Sequence, residues 1–343
     1  MKENRNKAVG IWLWIGVIMI FIQIVLGGIT RLTGSGLSIT RWEIVTGTIP
    51  PLNETRWNEE FDLYKRTPQF RKINTDITLS DFKFIYFWEY MHRLWARLIG
   101  IVFIGPFVLF MFKGWLTRKV YGDLGIAVLL GAVVAAFGWI MVASGLVDRP
   151  WVSAYKLTIH LGLALVLYSW MVWIAFGQRE KYKSSGIKSI LKLLTLLMSI
   201  QLLLGGLMSG MKAALYYPTW PDMYGEFFPK VLIDRNIWSM DSFINYETGP
   251  LPGVIQFGHR IFAYLIVVFV LMFLWRSRKK EIPEKIKILN LGLGILVFLQ
   301  VTLGILTLIN SSGSIPLTYG VMHQIGAIFL LTYIIILHRI ISN

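Results

Sequence analysis

Four histidines, one in each of four long apolar segments, are the residues best suited by type and spacing to do chemistry. They are His92, His160, His259 and His323. Each lies roughly 5 to 9 residues from the same predicted end of its segment, a depth of about 8–14 Å at about 1.5 Å per residue. Two imidazoles that face each other across a helix bundle are what bis-histidine ligation of a haem iron requires. Four at one depth therefore predict two haem sites, whereas any single one could simply hydrogen-bond to a neighbouring helix.

The residue composition limits which metals the four histidines could bind. The chain has no cysteine, which excludes thiolate zinc sites, cysteine-ligated iron–sulfur clusters and disulfides. Zinc or copper would more often recruit cysteine, methionine or several carboxylates near the histidines, and these are sparse here. The fifth histidine, His338, falls near the opposite end of the last apolar segment and is interpreted as an interfacial side chain. Haem iron is therefore the metal that the four histidines favour.

One acidic residue distinguishes the two halves of the chain. Glu89 stands three residues before His92, on the same helical face, whereas Gln256 stands three residues before His259. A buried carboxylate must be protonated, paired or used in a reaction. Glu89 is therefore a candidate proton acceptor at a reacting site in the N-terminal half.

Three arginines lie close in sequence to these histidines, namely Arg93, Arg97 and Arg260. Their guanidinium groups suit haem propionates, because a planar fork of donors matches a carboxylate. Pairing between helices is the alternative, and an ion pair of Arg93 or Arg97 with Glu89 would give that carboxylate a structural role. The sequence leaves both alternatives open.

Eight apolar segments of roughly 20 residues each must position these groups. The chain has 343 residues, of which 55% are hydrophobic and 15% charged, whereas soluble domains are about 25% charged. We therefore predict an all-α polytopic membrane protein whose eight transmembrane helices form two parallel-repeat four-helix bundles. The predicted spans are 8–28, 84–112, 122–147, 155–176, 187–211, 254–275, 288–309 and 315–337.

The net charge of +15 comes largely from short basic clusters between these spans, which suits anionic lipid headgroups better than nucleic acid. The clusters from Arg179 to Lys192 and from Arg276 to Lys287 together carry 11 basic residues. This asymmetry predicts that both termini are cytoplasmic, with a retained first helix and the haem sites toward the outer side. In the long outer connection that follows the first span, Trp57, Phe61 and Tyr64 predict a short amphipathic helix at the outer interface.

An internal repeat divides the chain into two halves. Residues 21–28, FIQIVLGG, are echoed by residues 199–206, SIQLLLGG, and a His-Arg pair follows in each half. Because each half holds an even number of spans, both enter the membrane from the same side and the repeat is parallel. We therefore predict an N-terminal half, 1–180, with one haem site and a C-terminal half, 181–343, with the other.

Three segments carry the most specific sequence pattern. They are residues 27–42, GGITRLTGSGLSITRW, residues 89–93, EYMHR, and residues 144–150, SGLVDRP, the last of which leads on to His160. With these segments in this order, the chain resembles the haem A synthase family over nearly its whole length. The C-terminal half, with FGHR at its first histidine, matches less densely.

The resemblance implies successive hydroxylation of a ring methyl of haem O to the formyl group of haem A. By matching motif, His92 and His160 would hold the substrate haem, and His259 and His323 would hold a resident haem b that passes electrons. Glu89 matches the family's essential acidic position. The lack of an outer-loop cysteine pair resembles the subgroup close to the mitochondrial-type enzymes.

Partners and location also follow from the resemblance. It implies a haem O-producing farnesyltransferase, haem-copper oxidase assembly, and an electron acceptor such as a quinone or a redox protein, in a bacterial plasma membrane. Two other classes of protein are alternatives. A quinol-linked di-haem b electron carrier would not need a carboxylate in one half alone, and a transporter would use the histidines as proton relays and bind no haem.

Overall fold

The computed structural model describes residues 2–41, 48–146, 149–177, 182–183, 185–278 and 282–342. Within these residues, eight helices are long and apolar enough to cross a membrane. This confirms the predicted all-α, multi-pass membrane protein. Three residues of the segments quoted above, Trp42, Val147 and Asp148, lie outside the described residues, as do 179–181, 184 and 279–281 of the two basic clusters.

The helices are numbered in chain order. Those that span the membrane are α1 (Lys2–Leu32), α4 (Leu79–Phe112), α5 (Arg118–Gly145), α6 (Ala154–Phe176), α7 (Ser185–Gly210), α9 (Leu251–Arg276), α10 (Glu284–Ile309) and α11 (Leu317–Ile340). Shorter helices in the connections are α2 (Glu54–Lys65), α3 (Pro68–Lys72) and α8 (Asp241–Ile244). Two strands of two residues, β1 (Tyr182–Lys183) and β2 (Ile341–Ser342), pair in parallel. Each predicted span falls on one of the eight long helices.

Contacts separate the chain into two compact units, Met1–Ala175 and Phe176–Asn343. In the first unit, indole N–H groups join α1 and α4, since Trp12 donates to the carbonyl of Val102 at 3.1 Å and Trp95 donates to that of Met19 at 2.8 Å. Such bonds satisfy polar groups that lipid cannot. The parallel repeat and the assignment of one haem site to each half stay predictions.

The core of the second unit is a continuous cluster of apolar side chains, most of them from α7, α9, α10 and α11. His338 lies near the end of α11, where its Nε2 is 2.7 Å from the hydroxyl of Thr195 and its Nδ1 is 2.9 Å from Nζ of Lys188. Lys188 also donates to the carbonyl of Ile341 at 2.8 Å. This histidine therefore ties α11 to α7, far along the helix from His323.

The start of α4 extends beyond the predicted span because its polar first turn is capped. The Asp81 carboxylate accepts a hydrogen bond from N–H of Thr78 at 2.9 Å, and the Thr78 hydroxyl accepts one from N–H of Asp81 at 3.3 Å. This reciprocal pair is a capping box, which satisfies two helix donors that would otherwise be unpaired. The extension gives the outer connection a surface to pack against.

An aromatic cluster fastens the outer connection to that extension. The predicted amphipathic helix is α2, and it buries Phe61 and Tyr64 against Phe82 and Tyr86 of α4. The ring centroids of Phe61 and Phe82 are 5.0 Å apart. Burial raises the pKa of the Tyr64 hydroxyl, which accepts a hydrogen bond from Asn74 at 2.7 Å. The aromatic face of α2 therefore covers α4.

Candidate functional site

Each of the four intramembrane histidines packs its ring against a glycine of the preceding membrane-spanning helix. The pairs are His92 with Gly27, His160 with Gly138, His259 with Gly205, and His323 with Gly304. A Cβ added at these glycines would lie 3.1, 2.8, 3.6 and 2.9 Å, respectively, from Cε1 of the ring. Small residues let helices in a membrane approach closely, and here the space they leave is filled by imidazole.

Two of these rings are oriented by a main-chain carbonyl. Nδ1 of His160 lies 3.0 Å from the carbonyl oxygen of Val134, and Nδ1 of His323 lies 3.1 Å from that of Gln300. A histidine that binds a metal usually donates its second ring N–H to such a carbonyl, which fixes the tautomer and leaves Nε2 for the metal. Both rings therefore have the arrangement of a metal ligand.

Glutamine side chains contact the other two histidines, His92 and His259. Nε2 of Gln23 lies 3.2 Å from both ring nitrogens of His92 and donates to the carbonyl of that residue at 3.1 Å. Nε2 of Gln201 lies 3.1 Å from Nε2 of His259. Among the described residues, Nδ1 of His259 and Oε1 of both glutamines are buried without a hydrogen-bond partner.

A third glutamine, Gln300, donates to the main-chain carbonyl of His323 at 2.9 Å. Sequence analysis missed all three glutamines as site residues, although a signal was present. Gln23 and Gln201 lie inside the repeated segment, each four residues before a ring-contacting glycine, and Gln300 stands four residues before Gly304. Polar side chains inside membrane helices mark functional positions by default. The spacing of glutamine and glycine would therefore have indicated all three.

The second unit brings its two histidines into a geometry that fits a haem. The ring centroids of His259 and His323 are 6.4 Å apart, with an angle of 69° between the ring planes. Two metal–nitrogen bonds of about 2.0–2.1 Å, with the ring radii added, would place the centres of two axial imidazoles roughly 6 Å apart.

No other cluster competes for a metal in the part of the chain that the structure describes. Within those residues, no group of three or more histidine, aspartate or glutamate side chains could hold an ion. Bis-histidine ligation needs only two side chains per iron, with the porphyrin supplying the other ligands. The paired histidines therefore fit haem better than a bare metal ion.

Glu89 is buried, with 3% of its surface exposed, and accepts four hydrogen bonds. Its Oε2 accepts from N–H of Ser38 at 2.7 Å, from the hydroxyl of the same serine at 2.8 Å and from N–H of Ile39 at 2.9 Å. Its Oε1 accepts from Arg93 at 2.5 Å. The ion pair that the sequence left open is present, and the carboxylate also fastens the connection after α1 to α4.

Gln256 and Arg260 make the matching attachment in the second unit. Gln256 donates to the carbonyl of Tyr217 at 2.8 Å, and Arg260 donates to the carbonyls of Thr219 and Asp222, also at 2.8 Å. In this unit the connection offers acceptors to an amide, whereas in the first unit it offers donors to a carboxylate. The difference between the acid and the amide therefore follows the hydrogen-bond polarity of the segment each one holds.

Arg93 has the same kind of partner as Arg260, because it donates to the carbonyl of Ile39 at 3.1 Å. Both arginines thus engage the main chain of a connection in their own unit. The sequence suggested propionate binding or pairing between helices for these arginines. Their attachment to a connection is neither of these roles.

Comparison with known proteins identifies one family. Residues 10–335 match the model of COX15-CtaA, the cytochrome oxidase assembly protein family. The chain is 40% identical over 338 residues to the heme A synthase of Nitrosospira multiformis, covering 96% of this chain and 92% of the relative. It is 40% identical over 344 residues to the heme A synthase of Flavobacterium psychrophilum, covering 98% and 99%. With the heme A synthase of Methylorubrum populi it shares 41% over 331 residues, covering 94% and 84%.

Proposed function

The chain belongs to the haem A synthase family of cytochrome oxidase assembly proteins, and from this premise we propose that it oxidises haem O to haem A within the membrane. A ring methyl becomes a formyl group through two successive hydroxylations, after which the geminal diol loses water. With water as the source of the inserted oxygen, each hydroxylation removes two electrons from the methyl carbon and releases two protons. The protein must therefore hold the ring, accept protons and pass electrons on.

His92 and His160 hold the substrate haem, and His259 with His323 hold a resident haem b. The separation of 6.4 Å between the rings of His259 and His323 supports one iron between them. The contacts of His160 and His323 with main-chain carbonyls support ligation through Nε2. A haem b held in the second unit supplies a one-electron carrier.

We assign the reaction to the first unit because that unit contains Glu89. Its carboxylate precedes His92 by three residues, while the matching position before His259 holds the neutral Gln256. A carboxylate has about four acceptor positions over its two oxygens, and among the described residues Oε1 accepts one hydrogen bond, from Arg93. We assign to Oε1 the uptake of a proton released by the hydroxylated methyl group.

The haem content of the purified protein tests this function. We expect extraction and chromatography to yield haem b together with haem O or haem A, because the substrate site and the resident site are separate. Haem b alone, at two per molecule, would identify a di-haem electron carrier instead. A protein that binds no haem at all would favour the transporter.

We propose the partners from the chemistry of the reaction and from the family resemblance. No nucleotide or flavin motif is visible in the sequence, so a quinone or a redox protein accepts the electrons. A haem O-producing farnesyltransferase supplies the substrate, and haem-copper oxidase assembly uses the product. Membrane lipid surrounds the eight helices.

The chain lies in the bacterial plasma membrane with both termini in the cytoplasm. We expect reporter fusions within 179–192 and 276–287 to be cytoplasmic, because short basic connections stay on that side. Fusions within 216–247 should lie outside and serve as the control. Finding either basic connection outside would reverse the proposed placement of the haem sites toward the outer side.

A further inference from the structure

His160 and His323 share one main-chain setting and differ in the side chains around it. In each case Nδ1 faces a carbonyl on the preceding helix, at 3.0 Å from Val134 and 3.1 Å from Gln300. The glycine four residues after each carbonyl packs on Cε1 of the ring, and an added Cβ would lie 2.8 Å away in one case and 2.9 Å in the other. A difference in how firmly the two rings are held must therefore come from neighbouring side chains.

Gln300 supplies a second hydrogen bond to His323, which Val134 cannot supply to His160. Its side-chain Nε2 donates to the main-chain carbonyl of His323 at 2.9 Å, while Nδ1 of His323 faces the main-chain carbonyl of Gln300. In the tautomer with a proton on Nδ1, these two bonds join the same two residues in opposite directions and so fix α10 and α11 in register at His323. Valine has no side-chain donor, so within the described residues the hydrogen bond of the His160 ring is the one to this carbonyl.

Gly326 provides the space that the glutamine needs. It stands three residues after His323, and a Cβ built there would overlap Oε1 of Gln300. The position three residues after His160 is occupied by Leu163. The second unit therefore has glutamine and glycine at these two positions, where the first unit has valine and leucine, and of these four residues Gln300 has the side chain that donates a hydrogen bond.

The other histidine of each unit has a glutamine contact in both cases. Gln23 donates to the carbonyl of His92 at 3.1 Å, and Nε2 of Gln201 lies 3.1 Å from His259. Both histidines of the second unit are thus supported by a glutamine, whereas the first unit has one supported histidine and one unsupported. The asymmetry falls on His160.

We propose that His160 is the axial ligand that detaches when haem enters and leaves the first unit, and that Gln300 is a positioning residue that keeps His323 on its iron. The inference rests on the proposed function, in which the first unit holds an exchanging haem and the second a resident one. A histidine that is held by one hydrogen bond fewer turns away from the iron more often. Product release and retention of the electron carrier then use the same scaffold with different side chains.

Transfer of haem to excess apomyoglobin from the detergent-purified holoprotein measures detachment directly. Gln300→Met keeps the volume and removes the donor, so haem loss from the second unit should become about threefold to tenfold faster, the worth of one hydrogen bond. The fraction of high-spin haem in the optical spectrum should rise with it. The double variant Val134→Gln with Leu163→Gly should slow loss from the first unit by a similar factor, and Leu163→Gly alone is its matched control.

Two results separate the proposal from the function on which it rests. Unchanged loss rates in Gln300→Met, together with a double variant that behaves like Leu163→Gly, would overturn the role of the glutamine, whatever haems are bound. In the second result, the rates change as expected, but chromatography identifies the haem that Gln300→Met releases faster as haem O or haem A. This would support the role of the hydrogen bond between Gln300 and His323. That second result would overturn the assignment of the substrate haem to the first unit.

Discussion

Glu89→Gln is expected to reduce the haem A formed per molecule of purified protein by about 10²–10⁴-fold, the usual effect of losing a general base. Glutamine keeps the shape of the side chain but cannot take up a proton. Haem O or a hydroxylated intermediate should accumulate in place of haem A. Haem b bound by His259 and His323 should stay at its normal amount, because those ligands lie in the other unit. Chromatography of extracted haems measures all of these quantities together.

The contacts of Glu89 require a control for its structural role. An amide oxygen can still accept from Ser38 and Ile39, but the amide N–H would face the N–H groups of Arg93, so the ion pair is lost. Ser38→Ala removes one hydrogen bond to Oε2 and leaves the carboxylate in place. If proton uptake is the main role, this control should keep haem A formation within about tenfold of normal, since one hydrogen bond is worth about 0.5–1.5 kcal/mol.

Two outcomes would contradict the catalytic role of Glu89. Near-normal haem A per molecule of purified Glu89→Gln protein would leave only the attachment of the connection to α4. A loss of activity in Ser38→Ala as large as in Glu89→Gln would point the same way, because the carboxylate is intact in that variant. Glu89→Asp should restore part of the activity if a carboxylate is needed.

Replacing His259 or His323 with alanine should abolish tightly bound haem b. Each removes one of the two proposed axial ligands, whose rings lie 6.4 Å apart, and alanine offers no lone pair to iron. The protein should still insert into the membrane, since the apolar cluster of the second unit does not include these rings. The reduced-minus-oxidised optical spectrum measures the loss, with the amount of protein in the membrane as reference.

His338→Ala is the matched histidine control for this experiment. It removes contacts with Lys188 and Thr195 near the end of α11, so stability should fall while the haem spectrum is unchanged. His92→Ala should keep haem b and lose haem A. A protein lacking both His259 and His323 that retains its full haem b would show that the assignment of the two haems is reversed or wrong.

Local sequence pattern was sufficient to predict the membrane-spanning helices. Apolar length alone located all eight membrane helices, because a segment that crosses lipid must satisfy its own backbone and show no polar face to the acyl chains. The position of His92, His160, His259 and His323 within those helices followed from the same count. The start of α4 was misplaced because the capping box of Thr78 and Asp81 lies in polar sequence that hydropathy ignores.

The role of Glu89 shows where sequence reached its limit. The spacing of Glu89 and Arg93 allowed an ion pair and equally allowed a free carboxylate beside a haem. The structure added Ser38 and Ile39, which lie about fifty residues away in the chain and approach only when the connection after α1 folds onto α4. No periodicity within one helix encodes that approach.

The sequence by itself determined the membrane fold, the positions of the four histidines along their helices, the carboxylate three residues before one of them and the family resemblance, because each depends on residue type and spacing along one segment. Only the tertiary structure decided that rings pack on glycines, that Gln300 ties His323 and that Val134 leaves His160 with a carbonyl alone. Those contacts join different helices, so they depend on the rotation and register of each pair. Rotation and register are set by close packing of small residues across the interface, which neither hydropathy nor motif spacing specifies.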